Sequence, residues 1–367
     1  MKRLKGLYSQ VYDFENLYWA YRKAREGKRF RDEVLAFTAN PEEHLIEIQN
    51  ELIWKTYRVG RYREFYVYEP KQRLIMALPF KDRVIQWAIY RVLNPLLDRR
   101  YIRDSYACRM GYGAHRAADR LQYYLRDFAR RGEKTYVLKL DVSKYFYRVD
   151  HDALMGILGR MIGDRDLLWL LERILRSEDT KFGVPLGDHH FEADRVDGVG
   201  MPIGNLTSQM CANLYLNELD QYAKHVLGVR CYLRYMDDVV ILHPDKSYLW
   251  RVKDAIEAFL DDHLRLALNN KTSIRPADQG VDFVGYRIWT THRKLRKTTA
   301  KKMRSRLRYL QRAYVRGEVG LDEIHASVQS YMGLLRHCNS YNLRRKLFEM
   351  MVFIRGPGSV ENEEPPR

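Results

Sequence analysis

Three aspartates carry the chemistry that this sequence offers. Residues 230–243 read Arg-Cys-Tyr-Leu-Arg-Tyr-Met-Asp-Asp-Val-Val-Ile-Leu-His, two β-rich runs around adjacent carboxylates. Tyr232, Leu233 and Tyr235 lead in, and Val239, Val240, Ile241 and Leu242 lead out. Asp237 and Asp238 are therefore expected at a tight hairpin turn. Two acids fixed side by side repel unless a cation lies between them, although Asp-Asp is also an ordinary polar turn. The third acid, Asp141, closes a run in which Tyr136, Leu138 and Leu140 alternate with Val137 and Lys139. A strand-terminal Asp can simply cap the next helix. Taken with the turn, it completes an oxygen-ligand site suited to Mg²⁺, a hard ion that keeps waters and accepts substrate phosphates. Two such ions about 4 Å apart activate an attacking hydroxyl and neutralise a leaving pyrophosphate. That chemistry fits phosphoryl transfer to a nucleic-acid end.

The elements that must hold these acids can be read from periodicity. Residues 1–60 have helical spacing, with Leu17, Tyr18 and Tyr21, then Leu45, Ile46, Ile48 and Leu52. Residues 61–80 alternate instead: Tyr66, Tyr68, Leu74, Met76 and Leu78 flank Glu69-Pro70-Lys71-Gln72, a hairpin with Lys71 and Arg73 near its tip. Exposed cations on a hairpin are commonly just solvated. A helix over 79–98 carries Asp82, Arg83 and Gln86 early, and a glycine-spaced segment from Ser105 to His115 leads into another over 116–131. Near 200–209, Gly204 permits close backbone approach, and Asn205 or Thr207 can cap a helix. Apolar rows from Leu206 to Val226 predict one continuous helix ended by Gly228. A helix over 246–265 and helices near 321–354 follow.

Composition agrees with a polyanionic partner. The 367 residues carry a net charge of +17 and 13% aromatic residues, a profile expected of a nucleic-acid-binding enzyme. Residues 293–316 hold eleven Lys or Arg in 24 positions and no acid. Leu307, Leu310, Ala313 and Tyr314 give that stretch an inward face. A basic helix is often only a solvated face, but charge this unbalanced points to phosphate binding and a steep salt dependence. Cys108, Cys211, Cys231 and Cys338 are scattered, with no Cys-x-x-Cys pair, so neither zinc nor a disulfide framework is expected and a reducing cytoplasm is the default. No apolar run approaches a membrane span and no signal-peptide core is evident. Residues 356–367, rich in Gly, Pro and Glu, are read as a disordered tail.

The sequence resembles a reverse transcriptase over roughly residues 60–290. Residues 139–146 are similar to polymerase motif A, and Tyr235-Met236-Asp237-Asp238 to motif C in its retroviral-type spelling. Gly200-Met201-Pro202-Ile203-Gly204-Asn205-Leu206-Thr207-Ser208-Gln209 stands in the place of motif B. Most reverse transcriptases have Gln-Gly followed by Ser-Pro there; here Ile203 replaces Gln and Gln209 replaces Pro. That form resembles the enzymes of diversity-generating retroelements, bacterial and phage systems that copy a template repeat with errors at adenines. That resemblance implies a cytoplasmic, bacterial or phage-encoded protein.

The resemblance implies an α+β right hand. It would comprise an N-terminal helical extension (1–60), fingers (61–135), a palm of antiparallel sheet and helices (136–290) and a basic helical thumb (291–355). It implies two Mg²⁺ ions, with Mn²⁺ a possible substitute, on Asp141, Asp237 and Asp238, with Val142 among the ligands. Lys71, Arg73 and Arg109 would contact the nucleotide, Arg109 alternatively the template. Arg73 would be the main clamp through bidentate guanidinium–phosphate geometry. Phe146 would lie beneath the sugar and exclude a 2′-hydroxyl, or merely pack in the core. Ile203, Gly204 and Gln209 complete the nucleotide pocket. Ile203 cannot donate hydrogen bonds, which would loosen checking of the nascent pair, unless it is a neutral core replacement. Lys271 resembles the motif D general acid, or is an exposed or idle lysine. His115 is expected to be structural.

Primer and template contacts are implied for Tyr235 and Met236, and for the primer-grip hairpin with Phe283, Gly285 and Tyr286. Lys301, Lys302, Arg304 and Arg308 would add thumb contacts. The implied partners are dNTPs, a template RNA, the cDNA–primer duplex and an oligomeric basic accessory variability protein. Two alternatives stay open: another bacterial reverse transcriptase (group II intron-like, retron or phage-defence), and a non-catalytic RNA-binding scaffold.

Overall fold

The structure, a computed structural model, describes residues 3–68, 72–177, 179–184 and 195–353. Glu69, Pro70 and Lys71 of the expected hairpin tip, and the tail at 356–367, lie outside the described residues.

The chain begins with helices α1 (Tyr8–Tyr12), α2 (Phe14–Ala24), α3 (Asp32–Ala39) and α4 (Pro41–Ile53). Local chemistry sets their starts. Asp13 accepts from the Asn16 amide at the head of α2, and α4 opens on Pro41 followed by Glu42 and Glu43. Leu17, Tyr21, Leu45, Ile48 and Leu52 are buried as expected, whereas Tyr18 and Ile46 face outward. The alternating stretch forms an antiparallel pair, β1 (Arg63–Val67) and β2 (Arg73–Ala77), with Val67 opposite Arg73. Next come α5 (Phe80–Asp98), α6 (Ala114–Arg130), β3 (Tyr136–Asp141), α7 (Tyr145–Arg148), α8 (His151–Met161) and α9 (Arg165–Leu175).

The helix expected to run from Leu206 to Val226 is interrupted. It forms α10 (Leu206–Tyr215) and α11 (Asn217–Gln221), then a wide π turn over Tyr222–Val226 in which the Leu227 amide donates to the Tyr222 carbonyl. The apolar row fails there for a physical reason. Asp220 is fully buried and accepts from Tyr232 and Arg234, so a polar anchor sets the path and Val226 is left exposed. The expected side-chain cap is also different. The Asn205 amide goes to the Tyr62 hydroxyl, and the Leu206 amide is met by Gln86 Oε1 at 2.9 Å.

Strands β4 (Tyr232–Tyr235) and β5 (Asp238–His243) form a hairpin, followed by α12 (Lys246–Leu264), β6 (Ser273–Pro276), β7 (Val281–Phe283), β8 (Tyr286–Ile288) and β9 (Arg293–Leu295). Helices α13 (Lys297–Val315), α14 (Leu321–Leu335) and α15 (Tyr341–Met350) complete the described chain. Sheet orders are β1-β2, β4-β5-β3-β6 and β7-β8-β9. This is the expected α+β mixture of helices and antiparallel strands. No described helix is long and apolar enough to cross a membrane, and all four cysteines are free.

Two compact units result. One comprises Met1–Gly111, Leu138–Ile241 and Ser247–Ser273; the other comprises Tyr112–Val137, Leu242–Lys246 and Ile274–Arg367. The second has its own core, built from Met303, Leu307, Leu310 and Tyr314 of α13 against Ile324 and Leu335 of α14 and Leu347 of α15. The inward face anticipated for the basic segment is therefore present.

Candidate active site

Asp141 ends β3 and Asp238 opens β5, strands that are neighbours in one sheet. Lys139 and Asp141, two residues apart on β3, share a face, and Lys139 Nζ reaches Asp238 Oδ2 at 3.2 Å. The other oxygen, Asp238 Oδ1, is buried with no hydrogen-bond partner among the described residues. Burial pushes the Asp238 carboxyl up from 3.8 to about 6; Lys139 pulls it partly back, and Asp141 and Asp237 push it further. Asp238 thus lies in the field of both other acids, with one lysine as partial counter-ion.

A desolvated carboxylate with an orphaned oxygen beside two more acids is the donor chemistry a hard divalent ion would satisfy. No group of three or more His, Cys, Asp or Glu among the described residues is drawn tightly enough to hold a metal ion by side chains alone. Backbone oxygen can supplement them. The pairing of Val142 with Leu268 is flanked by bonds from Ser143 N to Ala267 O (2.9 Å) and from Asn269 N to Asp141 O (2.7 Å). Alternation along such a ladder turns the Val142 carbonyl to the opposite edge.

The hairpin turn is shifted by one residue from expectation. Tyr235 pairs with Asp238, so Met236 and Asp237 are the central residues and Asp238 already belongs to β5. Met236 takes a left-handed backbone, φ +56, which an L-residue other than Gly adopts only against a steric cost. Beneath it lies Arg234, the largest fully buried side chain among the described residues. Burial works against its charge, but Asp220 more than compensates and holds the guanidinium above its usual range.

Backbone bonds tie the remaining segments of this unit together. Met76 of β2 donates to Ile203 O at 3.0 Å, Met201 donates to Phe146 O at 2.7 Å, and Gly200 donates to Val149 O at 2.7 Å. The β1–β2 hairpin, the 200–204 loop and the turn after Asp141 are therefore stitched in series. Gly204 has φ +134, and a Cβ there would lie 2.9 Å from the Met76 carbonyl; only glycine fits.

Other candidates fall into several surroundings. Arg73 is exposed and acts with Arg195 on the Tyr147 hydroxyl, whose titration burial raises and both arginines lower. Phe146 is partly buried and meets Tyr145 edge-on at 5.7 Å. Ile203 is partly buried and Gln209 exposed, the latter accepting from Cys108 Sγ at 3.8 Å. Tyr235 is partly buried, and burial followed by the field of Cys108 raises its hydroxyl. Lys271 is exposed, two residues beyond the Asn269 amide that holds Asp141. Arg109 is turned away into its own loop: its guanidinium donates to the Asp98 carboxylate (2.6 Å) and to the Ile102 and Ser105 carbonyls (2.8 and 2.9 Å).

Sequence reasoning missed several residues of this unit. A cavity of about 370 Å³ is lined by Lys28, Arg31, Arg83, Gln86, Trp87 and Gly204 among others. Burial, and then Arg83 and Arg31, push the Lys28 ammonium down. The basic run over 22–31 was the available signal. Lys139, Gln86 and Arg234 had none, because their partners are 99, 120 and 14 residues away.

In the second unit, Val284 and Gly285 both have positive φ (43 and 87) and make the tight turn between β7 and β8. Phe283 and Tyr286 point into the core, 0% and 1% exposed. The Tyr286 hydroxyl contacts His115 Nδ1 and donates to the Leu334 carbonyl, each at 3.2 Å. His115 also stacks on His337 at 3.5 Å, a structural setting. Lys301, Lys302 and Arg308 of α13 are exposed and Arg304 partly so; on the same helix Arg306 pairs with Glu323 at 3.0 Å.

The family described as reverse transcriptase (RNA-dependent DNA polymerase) matches residues 68–288. Protein YkfC of Escherichia coli is 26% identical over 277 residues, covering 66% of this chain and 70% of that protein. The group II intron-encoded protein LtrA of Lactococcus lactis is 24% identical over 187 residues, 49% of this chain and 28% of LtrA. Among solved structures, telomerase from Candida tropicalis gives a TM-score of 0.47 at 15% identity, covering 70% of this chain and 60% of that one. Telomerase from Candida albicans gives 0.43 at 13%, covering 70% and 51%.

Proposed function

The chain belongs to the reverse transcriptase family, and on that premise we propose that it synthesises error-prone cDNA on the template-repeat RNA of a diversity-generating retroelement. The observation that carries catalysis is the Asp141–Asp237–Asp238 group, whose buried Asp238 Oδ1 lacks a partner. Magnesium, or manganese in its place, would supply charge neutralisation at the α-phosphate and a more acidic primer 3′-hydroxyl. Asp141 and Asp237 would hold it, aided by Asp238 and the Val142 carbonyl. One or two carboxylates completed by water and substrate phosphates are the usual protein share of such sites.

Within that reading, residues 61–135 act as fingers, 136–290 as palm and 291–355 as thumb. Arg73 and Lys71 hold the triphosphate, Phe146 floors the sugar, and Lys271 gives a proton to pyrophosphate. Lys301, Lys302, Arg304 and Arg308 follow the duplex backbone. Phe283 and Tyr286, being buried, would support the primer end through the β7–β8 turn rather than by direct contact. Arg109 would order its loop beside the nucleotide. The cationic cavity at Lys28, Arg31 and Arg83 extends the surface available to template RNA. A basic oligomeric accessory protein and a cytoplasmic site of action complete the proposal.

The retroelement assignment rests on Ile203 and Gln209. The relative LtrA favours a second reading, an intron-type enzyme. Sequencing cDNA made from an RNA template by wild type and by Ile203→Gln separates them. Adenine-directed errors that fall in the variant support the first reading; wild-type cDNA without excess errors at adenine sinks it. Asp237→Ala should abolish extension in either case.

A further inference from the structure

We infer that Arg234, locked by Asp220, is a positioning residue that aims the catalytic turn; the inference rests on the reading of Asp237 as a metal ligand. The turn needs such a device. Met236 is held at φ +56, a conformation glycine would take freely and methionine does not. Arg234 Nη1 donates to the Met236 carbonyl at 3.1 Å. Because a peptide group is planar, fixing that carbonyl fixes the plane that carries the Asp237 amide, and with it the direction from which the Asp237 side chain leaves the backbone.

The guanidinium is itself immobile. Nε and Nη2 bond both oxygens of Asp220 at 2.7 Å each, a bidentate fork, and Nη2 also reaches the Asn213 carbonyl at 3.2 Å. The Tyr232 hydroxyl braces Asp220 from the same strand at 2.7 Å. The Arg234 backbone is clamped as well: its amide donates to Asp104 O at 2.9 Å, and its carbonyl accepts from Tyr106 N at 3.0 Å. Both members of the pair are 0% exposed. A fully buried ion pair is a poor device for stability, since packed apolar residues usually serve as well. Its placement, one residue from the strained turn, gives it a geometric task. Lysine could keep the charge but has no planar fork with which to hold Asp220 and the Met236 carbonyl together.

Two variants of the full chain test this. Arg234→Lys retains a buried cation opposite Asp220. The triple change Arg234→Met, Asp220→Leu, Tyr232→Phe removes the pair together with the hydroxyl that leans on it. Primer extension on an RNA template across a Mg²⁺ titration should show kcat lowered by about a hundredfold, the loss expected of a misplacement near 1 Å. The Mg²⁺ midpoint should rise, while template–primer Kd and the melting temperature hold. Wild-type kcat and Mg²⁺ dependence in either folded variant overturns the inference, as does unfolding of both, which would make the pair a fold element only. Asp237→Ala is the control: if it extends normally, the reading of Asp237 fails and takes this one with it, whereas its inactivity beside fully active Arg234 variants removes the positioning role alone.

Discussion

Replacing Asp238 by Asn should stabilise the metal-free protein while abolishing polymerisation. Burial raises the Asp238 carboxyl from 3.8 to about 6, a value already net of the pull from Lys139. Two units at about 1.4 kcal/mol each make roughly 3 kcal/mol. The folded state binds this proton more tightly than the unfolded chain does. Its contribution to stability is therefore complete below about pH 4 and is lost as pH rises through about 6. Above that, the buried charge weighs against the fold by the same ~3 kcal/mol, and Asn, which cannot ionise, escapes it. Lys139 is 27% exposed, so water can serve its ammonium when the acid is gone.

The assay is urea unfolding in EDTA across this pH range. Wild type and Asp238→Asn should match near pH 4, and the variant should gain roughly 2–3 kcal/mol by about pH 7.5. Millimolar Mg²⁺ should then close the gap by stabilising only the wild type. A metal-free variant less stable than wild type at neutral pH would refute the reasoning, because attraction to Lys139 would then exceed the cost of burial.

Three further outcomes are expected. Gly204→Ala sets a Cβ 2.9 Å from the Met76 carbonyl at φ +134 and should cost about 1–3 kcal/mol, read as a fall in melting temperature together with slower but measurable extension. Gln86→Leu removes the acceptor for the Leu206 amide and should cost about 1–2 kcal/mol in urea unfolding; a neutral result would show that water caps α10 equally well. Changing Lys301, Lys302, Arg304 and Arg308 together to Gln should flatten the log–log salt dependence of template–primer affinity by about 3–4 units, and an unchanged slope would remove α13 from the interface.

What the sequence revealed and what it concealed follow from the range of the forces involved. β3, β5 and the β1–β2 hairpin were legible because alternation is local, and the buried face of α13 because Leu307, Leu310 and Tyr314 recur at helical spacing. The three acids stood out because carboxylates at strand ends are the residue type that the proposed phosphoryl transfer would need. The break after Tyr215 was not: apolar rows say nothing of Asp220, whose partners Tyr232 and Arg234 lie on another element. The single-residue shift of the turn escaped because Met236, not an Asn or Gly, took the left-handed position, paid for by a guanidinium that no turn rule includes. Lys139 and Gln86 were in plain view, but each acts on a residue about a hundred positions away.

The same ladder that joins the segments also makes the fidelity experiment interpretable. Ile203 joins the β1–β2 hairpin through its carbonyl, which accepts from Met76 N, and two residues earlier Met201 N donates to Phe146 O. Both bonds are main-chain, so Ile203→Gln leaves them in place and changes only what a partly buried side chain can donate. An altered error spectrum in that variant would therefore report the side chain and not a displaced loop. The Gly204→Ala variant, whose Cβ presses on the Met76 carbonyl, provides the opposite case: it moves the loop and leaves the side chain at 203 untouched. If both variants changed adenine errors alike, loop position would govern fidelity and the missing donor at 203 would not.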